Sequence, residues 1–248
     1  MTDAAAGTTR YSGSRVHRVE DPRLLTGRGT FVDDVVRPGM LHACFVRSPF
    51  ARARIGEIDL ADALAAPGVR AIFTAADLNP GVHELWFSMQ GAASPSTPLP
   101  PLAEGEVRFV GDPVALVVAD DRYLAEDAAD LVVVHYDPLP PVVDYEVAET
   151  LGEAVHADHP DNVVGRLAGG TPDKVDEALA SAAHVLTRTI RQQAYAAVPI
   201  ETRGLVVEWD APSEQLTIWA ATQAPHEVRS VCSRLLDLPE HRIRVVMR

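Results

Sequence analysis

Residues 107–137, VRFVGDPVALVVADDRYLAEDAADLVVVHYD, restrict the fold more than any other part of the sequence. The run VALVVA (114–119) is apolar at every position, which is typical of a strand covered on both faces of its sheet. Asp121 then stands where a helix with an apolar stripe needs an N-cap, and VVVHYD (132–137) indicates a second strand. A helix of this length between two strands predicts a β-α-β crossover, and therefore a fold that mixes α and β structure.

The patterns before and after this segment predict further helices and strands. Upstream we expect strands over 40–48, 53–59 and 69–73, and a short helix over 60–66. Downstream we expect a helix from Pro172, a strand over 184–192, strands over 204–209 and 215–221, a helix from Pro225 and a strand over 242–247. The helix from Pro172 is expected to turn four side chains inward, those of Val175, Ala178, Leu179 and Ala182.

Two proline-rich stretches bear on domain organisation. The stretch 91–106 contains four prolines, which exclude a central strand or helix and leave a functional or interface loop and plain disorder as open alternatives. The stretch 137–146 marks a boundary. We therefore expect an N-terminal arm over 1–25, a first domain over 26–146 and a second part over 147–248.

Composition excludes several classes of protein. With 248 residues, of which 47% are hydrophobic, the chain is long enough for one large or two modest cores. The net charge of −13 argues against a nucleic-acid binder. The longest strongly apolar runs are about five residues, as in ALVVA (115–119), and the N-terminus has no continuous apolar core, so we expect no membrane span and no secretory signal. Cys44 and Cys232 lie outside any Cys-x-x-Cys pair, and we expect free thiols in the cytoplasm.

No cluster of residues defines a reaction by its spacing. The loop HADHPD (156–161) has metal-like side chains but lacks a helical His-x-x-x-His spacing, so we interpret it as solvated. Glu201 and Arg203 predict a structural ion pair. Because the carboxylates are scattered, we assign no catalytic residue and no metal ligand.

The stretch WAATQAPHEV (219–228) raises a more specific question. A strand ends at Thr222-Gln223, and Pro225 suits the first position of a helix. Ala224 has no side chain that could cap this helix, so Thr222 or Gln223 bending back to the free N–H groups is one interpretation. The other is that the Gln223 side chain contacts a ligand.

Several stretches together resemble the large, molybdenum-binding subunit of the xanthine oxidase family, which includes xanthine dehydrogenases, aldehyde oxidoreductases and aerobic carbon monoxide dehydrogenases. The part that resembles the α/β hammerhead domain of these subunits comprises RVEDPRLLTGRGTFVDD (18–34), VRSPFARARI (46–55), PGVRAIFTAADL (67–78) and residues 107–140. The part that resembles the opening of their molybdopterin-binding domain comprises PIETRG (199–204) and WAATQAP (219–225). The resemblance covers nearly all of residues 15–248.

This resemblance implies an α+β fold, with an α/β hammerhead domain over 26–146 followed by the truncated start of a mixed α/β molybdopterin-binding domain over 147–248. It implies oxidation of an aldehyde, an N-heterocycle or carbon monoxide, with water as the oxygen source. The implied cofactor is molybdenum-molybdopterin, held by the complete subunit. Electrons would pass to 2Fe-2S clusters and FAD on partner subunits or domains.

One cofactor contact transfers by resemblance. The Thr222-Gln223 pair is similar to the family's Ser/Thr-Thr-Gln, which implies that the Gln223 amide approaches an oxygen on molybdenum. Glu201 and Arg203 match a Glu-Pro-Arg-Gly-like stretch in which Thr202 replaces the proline, and we expect them to be structural.

The family's Gly-Gly-Phe-Gly segment and its late catalytic glutamate do not occur in the 248 residues. We therefore expect a fragment, a truncated gene product or one half of a split subunit that is inactive alone. Its expected partners are the remaining C-terminal part of the large subunit, an iron–sulfur subunit, an FAD subunit and a small-molecule substrate. The alternative is a truncated, non-catalytic hammerhead module that serves interaction or assembly.

Overall fold

A computed structural model of the chain describes residues 17–81, 85–86, 98–165, 170–193 and 195–247. Most of the regular structure falls into two parts, which we call the first unit (residues 42–138) and the second unit (residues 205–246). The helices are α1 Asp21–Leu25, α2 Ala61–Ala65, α3 Ala75–Leu78, α4 Arg122–Asp130, α5 Pro172–Ser181 and α6 Pro225–Leu236. The strands are β1 His42–Arg47, β2 Ala53–Asp59, β3 Val69–Thr74, β4 Leu85–Trp86, β5 Pro98–Leu99, β6 Glu106–Val107, β7 Pro113–Ala119, β8 Val133–Pro138, β9 Leu205–Asp210, β10 Gln215–Ala220 and β11 Ile243–Val246.

The first unit contains two three-stranded antiparallel sheets. One has the strand order β1-β7-β3 and the other β6-β2-β8. Strand β7 carries the run VALVVA and lies at the centre of its sheet, where four of its seven side chains are buried. The predicted α+β class and the predicted covered strand are both confirmed.

Helix α4 joins β7 to β8, but the predicted β-α-β crossover is wrong. Strand β7 already has antiparallel neighbours on both sides, so its sheet offers no edge beside it for β8. Strand β8 instead pairs antiparallel with β2 in the other sheet. The predicted cap of α4 is confirmed, because the Asp121 carboxylate accepts a hydrogen bond from the Leu124 N–H at 2.9 Å.

Two buried clusters close the core of the first unit. Ala53, Ala103, Val107 and Val114 form one, and Ala63, Val117, Ala128 and Val132 form the other. Leu102 is fully buried nearby, and the Asn79 side chain bonds both its backbone N–H (3.2 Å) and its carbonyl (3.0 Å). Leu102 and Ala103, near the end of the proline-rich stretch 91–106, therefore belong to the protein interior, whereas residues 91–97 lie outside the described residues.

The second unit is one three-stranded sheet with one helix. Strands β9 and β10 form the predicted antiparallel hairpin, and α6 connects β10 to β11, which pairs parallel with β10. Leu216, Ile218, Ala220 and Ile243 form the buried cluster, against which Cys232 of α6 packs.

The chain between the units departs from the predicted pattern. Residues 184–192 carry neither helix nor strand, so the predicted strand is wrong. Helix α5 forms as expected, but none of its residues is buried, so its predicted inward side chains are exposed. Apolar alternation alone does not make a strand, because a strand also needs hydrogen-bonding neighbours, and these residues have no such neighbour in the described part of the chain.

Candidate functional site

The candidate site is the turn between β10 and α6. Strand β10 ends at the buried Ala220, and the next N–H, of Ala221, donates a hydrogen bond to the Gly204 carbonyl at 3.1 Å. The segment PIETRG therefore lies beside the turn. These are the two stretches that resemble the opening of the molybdopterin-binding domain, and the fold brings them into contact.

The hydroxyl of Thr222 closes the turn itself. Its Oγ1 accepts a hydrogen bond from the Ala224 N–H at 3.1 Å, whereas α6 begins at Pro225 without any side-chain cap. In the structure, therefore, neither Thr222 nor Gln223 caps α6.

Gln223 lies at the tip of this turn with its side chain exposed. Within the described residues, no hydrogen bond to the protein involves its amide, which leaves one N–H₂ donor and one carbonyl acceptor open to a ligand.

Glu201 has a different partner from the one predicted. Its Oε1 accepts a hydrogen bond at 2.9 Å from the backbone N–H of Val32, which is buried. No ion pair between Glu201 and Arg203 occurs among the residues described, so the predicted pair is wrong. The carboxylate instead attaches the segment beside the turn to the N-terminal part of the chain.

A second contact between the N-terminal part of the chain and the segments around the turn involves Arg37, which was not predicted from the sequence. Its guanidinium forms a bidentate ion pair with Glu208 of β9 (2.7 and 2.8 Å) and lies 5.3 Å from the ring centroid of Trp219 on β10. We call residues 31–37 the N-terminal strap. No local sequence pattern predicts these contacts of Arg37, because its partners lie far along the chain.

The strap also contacts the first unit. The Asp33 carboxylate forms an ion pair with Arg122 of α4 at 2.5 Å, and the Arg122 guanidinium holds the pKa of Asp33 below its ordinary value. The strap therefore contacts both units, and its contacts in the second unit are with Glu208 of β9 and with Trp219 of β10, the strand that leads to Gln223.

The loop HADHPD is exposed at four of its six residues, as predicted, but its two histidines are less exposed. His159 is buried, and burial lowers the pKa of the His156 imidazole, which the Arg108 guanidinium lowers further. In the described parts of the chain, no group of three or more His, Cys, Asp or Glu side chains is arranged to hold a metal ion. The histidines of this loop therefore belong to the packing between Arg108 and the chain that follows the first unit.

Both thiols are free and partly buried, as predicted. Burial raises the pKa of both thiols and is the main cause for each. The nearby carboxylates of Glu126 and Asp130 raise the pKa of Cys44 further. A thiol with a raised pKa is a poor nucleophile and a poor metal ligand. None of the helices in the described ranges is long and apolar enough to cross a membrane.

Chemically, the turn offers one free amide and no acid–base pair. A single amide fits a group that donates to, or accepts from, an oxygen of a bound cofactor. It does not amount to a complete cofactor site, since the other polar side chain of residues 221–224, that of Thr222, is used in the turn itself.

Two family models match the chain in succession. The model described as aldehyde oxidase and xanthine dehydrogenase, a/b hammerhead domain, matches residues 26–140, which include the first unit. The model of the molybdopterin cofactor-binding domain matches residues 155–248, which include the candidate turn and the second unit.

Individual relatives agree with these matches. The chain is 40% identical to the nicotine 6-hydroxylase large subunit of Paenarthrobacter nicotinovorans over 96% of its own length and 29% of that protein. It is 38% identical to the carbon monoxide dehydrogenase large chain of Afipia carboxidovorans over 94% of its length and 30% of that protein. The crystal structure of quinoline 2-oxidoreductase from Pseudomonas putida 86 superposes with a TM-score of 0.83 at 40% identity, over 95% of this chain and 30% of that one.

The fold and the matches together define the class as molybdopterin oxidoreductase large subunits. Within it, the chain belongs to the xanthine dehydrogenase and carbon monoxide dehydrogenase family, of which it comprises the N-terminal hammerhead domain and the start of the molybdopterin-binding domain. The chain spans about a third of the length of the relatives it matches.

Proposed function

We propose that this chain is the N-terminal portion of a molybdenum hydroxylase that oxidises an aldehyde, an N-heterocycle or carbon monoxide with water as the oxygen source. It acts together with the remaining part of the large subunit and is inactive alone. Electrons leave to iron–sulfur and FAD partners, and the assembly works in the cytoplasm. We propose the boundary between its hammerhead and molybdopterin-binding parts at residues 146 and 147.

The free amide of Gln223 is the observation that carries this proposal. It stands at the tip of a turn that Thr222 closes internally, so the turn keeps its shape without using the Gln223 side chain. Because the Gln223 side chain is exposed and does not stabilise its own turn, it is available to contact a ligand.

The molybdenum cofactor, when bound, supplies the two-electron oxidation and the oxygen-transfer chemistry. Gln223 is the residue that would hold this group at the turn, through its side-chain amide. The hydrogen bond from Ala221 to Gly204 fixes where the turn lies, and the contacts of Glu201 and Arg37 fix the segments on either side of it.

Gln223→Ala, compared with Gln215→Ala, tests this role. Both glutamines are exposed; Gln215 is the first residue of β10 and Gln223 lies in the turn that follows this strand, so the control removes an exposed glutamine from the same part of the fold. The chain is produced together with the remainder of a large subunit, and turnover, molybdenum content and thermal stability are measured. For Gln223→Ala we expect turnover to fall by at least about tenfold, since a hydrogen bond to a reacting group is worth roughly 1.5–3 kcal/mol.

Stability provides the contrast within the same experiment. Both substitutions remove exposed side chains, so each is expected to change the free energy of unfolding by about 0.5 kcal/mol or less. Equal turnover and equal molybdenum content in Gln223→Ala and Gln215→Ala would show that Gln223 does not contact the cofactor.

The isolated chain gives a second test. Because the turn offers only one free amide, we expect the purified 248-residue chain to bind no stoichiometric molybdenum and to oxidise none of the three substrate classes. Elemental analysis that found one molybdenum atom per chain would refute this expectation.

A non-catalytic hammerhead module is the second candidate, and the two buried clusters of the first unit favour it, since both consist of residues of that unit alone. The two candidates differ in one measurement. A module would bind its partner subunits equally well whether or not Gln223 is replaced and whether or not molybdenum is present.

A further inference from the structure

The turn that carries Gln223 continues the ladder of the β9–β10 hairpin. The last pair of the hairpin places Ala220 opposite Leu205, and one residue further the Ala221 N–H donates a hydrogen bond to the Gly204 carbonyl at 3.1 Å. The position of Gly204 therefore fixes the point at which the chain leaves β10 and enters the turn, two residues before Gln223.

The segment that ends at Gly204 is attached to the N-terminal strap. The Glu201 carboxylate accepts a hydrogen bond from the Val32 N–H at 2.9 Å. The Val32 side chain also lies against Gly204, since its Cγ1 is 3.7 Å from the place where a Cβ atom of Gly204 would stand. One residue of the strap therefore contacts both ends of the segment 201–204, through its backbone at Glu201 and through its side chain at Gly204.

The strap is itself held in place. Val32 and Val35 are each only 7% exposed, and the Asp33 carboxylate is paired with Arg122 of α4 in the first unit. Because these contacts fix the strap, it provides an anchor for the segment that it touches.

Arg37 holds the hairpin on the face opposite to α6. Its partners Glu208 and Trp219 project from one face of the sheet, because Glu208 lies opposite Thr217 and side chains two residues apart share a face. The other face carries the buried cluster against which α6 packs, which comprises Leu216, Ile218, Ala220 and Ile243. The hairpin that leads to the turn is thus held between α6 and the strap.

The Val32–Glu201 hydrogen bond is the link between the strap and the segment beside the turn. A buried backbone N–H needs an acceptor, and a carboxylate provides a charge-assisted one. The bond uses a terminal oxygen of the Glu201 side chain, so it depends on the length of that side chain as well as on the acceptor at its end. Length and charge can therefore be varied separately at this position.

We propose that Glu201 is a positioning residue: it holds the Gln223 turn in place by attaching the segment 201–204 to the N-terminal strap. The attachment depends on the reach of the side chain and not on its charge. Through the Asp33–Arg122 pair of the strap, the first unit thereby takes part in fixing a turn of the second unit. This inference rests on the proposed function, in which Gln223 holds the cofactor.

Three substitutions of Glu201 separate reach from charge. Glu201→Gln keeps an oxygen acceptor at the same distance from the backbone and removes the charge. Glu201→Asp keeps the charge and shortens the side chain, and Glu201→Ala removes both. The matched control is Asp112→Ala in the first unit, since the Asp112 carboxylate also accepts a hydrogen bond from a backbone N–H, that of Arg108, at 2.9 Å.

The first readout is hydrogen exchange of the Ala221 amide in the 248-residue chain, measured by NMR. We expect exchange to be at least about tenfold faster than in the wild-type chain for Glu201→Ala and Glu201→Asp, because the Gly204 acceptor is then less firmly held. Glu201→Gln and Asp112→Ala should stay within about threefold of wild type.

The Ile218 amide in the centre of β10 is the internal reference. It should keep its protection in every variant, which shows that the sheet is intact. Glu201→Asp is the more conservative change, and it decides the test where Glu201→Ala loses protection at Ile218.

Turnover in the completed enzyme shows whether Glu201 acts through Gln223. The chain is produced together with the remainder of a large subunit, and turnover per molybdenum is measured. We expect Glu201→Ala to lower turnover at least about fivefold and Glu201→Gln to restore it to within about twofold of wild type. Added to Gln223→Ala, Glu201→Ala should cause no further loss, since a positioning residue has no effect once the residue that it positions is gone.

Three results would overturn the proposal. The first is equal Ala221 exchange in Glu201→Ala and Asp112→Ala, and the second is equally fast exchange in Glu201→Ala and Glu201→Gln. The third is an additive loss of turnover when Glu201→Ala is combined with Gln223→Ala. Failure of the proposed function looks different: Ala221 exchange then follows the reach of the side chain at position 201, yet Gln223→Ala leaves turnover and molybdenum content unchanged.

Discussion

The first and second units differ in how their sheets are completed. In the first unit, β7 has a strand on each side and two buried clusters close around it and its neighbours. In the second unit, one helix covers two of three strands, and β9 keeps an unpaired edge and three exposed apolar side chains. The two units therefore differ in the neighbours that their strands have among the described residues. A sequence pattern encodes an apolar strand, whereas a neighbouring segment has to supply the strand or helix that covers it.

The largest contrast is expected from removing a leucine in each region. Leu102→Ala should lower the free energy of unfolding by about 2–5 kcal/mol, because Leu102 is fully buried and its removal leaves a cavity. Leu205→Ala should cost about 0.5 kcal/mol or less, since that side chain is largely exposed. Urea denaturation followed by circular dichroism measures both. Similar losses would mean that the second unit is as closed as the first.

Hydrogen exchange should show the next largest difference. Amides of β7 are expected to exchange at least about tenfold more slowly than those of β9, because β7 is paired on both sides. Residues 184–192 should exchange near the unprotected rate, since they form no strand. Equal protection in both units, or slow exchange over 184–192 in the chain alone, would contradict the comparison.

The N-terminal strap should provide a smaller coupling between the units. A double-mutant cycle with Arg37→Ala and Glu208→Ala is expected to give a coupling energy of about 0.5–1 kcal/mol, because the pair is bidentate but partly exposed. Arg54 and Asp137 form a more exposed pair with one contact at 3.4 Å within the first unit, and the same cycle there should give less. A larger coupling for the control pair would refute the importance assigned to the strap.

The smallest expected effect is a pH dependence from His156. Burial and Arg108 lower its folded-state pKa below the ordinary 6.5, so the unfolded chain binds the proton more readily. The contribution of His156 is fully present above pH 6.5 and is lost as pH falls through the lowered folded-state value. His156→Gln should therefore weaken the loss of stability between about pH 7 and pH 5, as measured by thermal unfolding across that range. An unchanged slope would show that His156 does not titrate differently in the folded chain.

Strands and helices whose partners lie nearby were predictable from the sequence. The run VALVVA indicated a covered strand because every position is apolar, and Asp121 indicated the start of α4 because a carboxylate there can bond the helix N–H groups. The topology was not predictable in the same way. Whether β8 joins the sheet of β7 depends on β1 and β3 occupying both sides of β7, which no local pattern records.

The candidate site shows the same difference between local features, which the sequence predicts, and long-range contacts, which it does not. The turn follows from the sequence, since a strand end and a helix-opening proline are local signals, whereas the sequence left open whether Gln223 caps α6 or stays exposed. The partners of the site are long-range. Glu201 was expected to pair with Arg203 two residues away, and it bonds the backbone of Val32 instead. Arg37 carries no local signal at all.

The separation between the strap and its partners also sets an order of events during synthesis. The Val32–Glu201 hydrogen bond spans 169 residues and the Arg37–Glu208 pair spans 171. Strands β1 to β8 emerge from the ribosome before Glu201 and Glu208, so the first unit is complete before these two contacts of the strap can form. The two contacts are thus among the last native contacts to be made, and the long loops that they close make them a late step in folding.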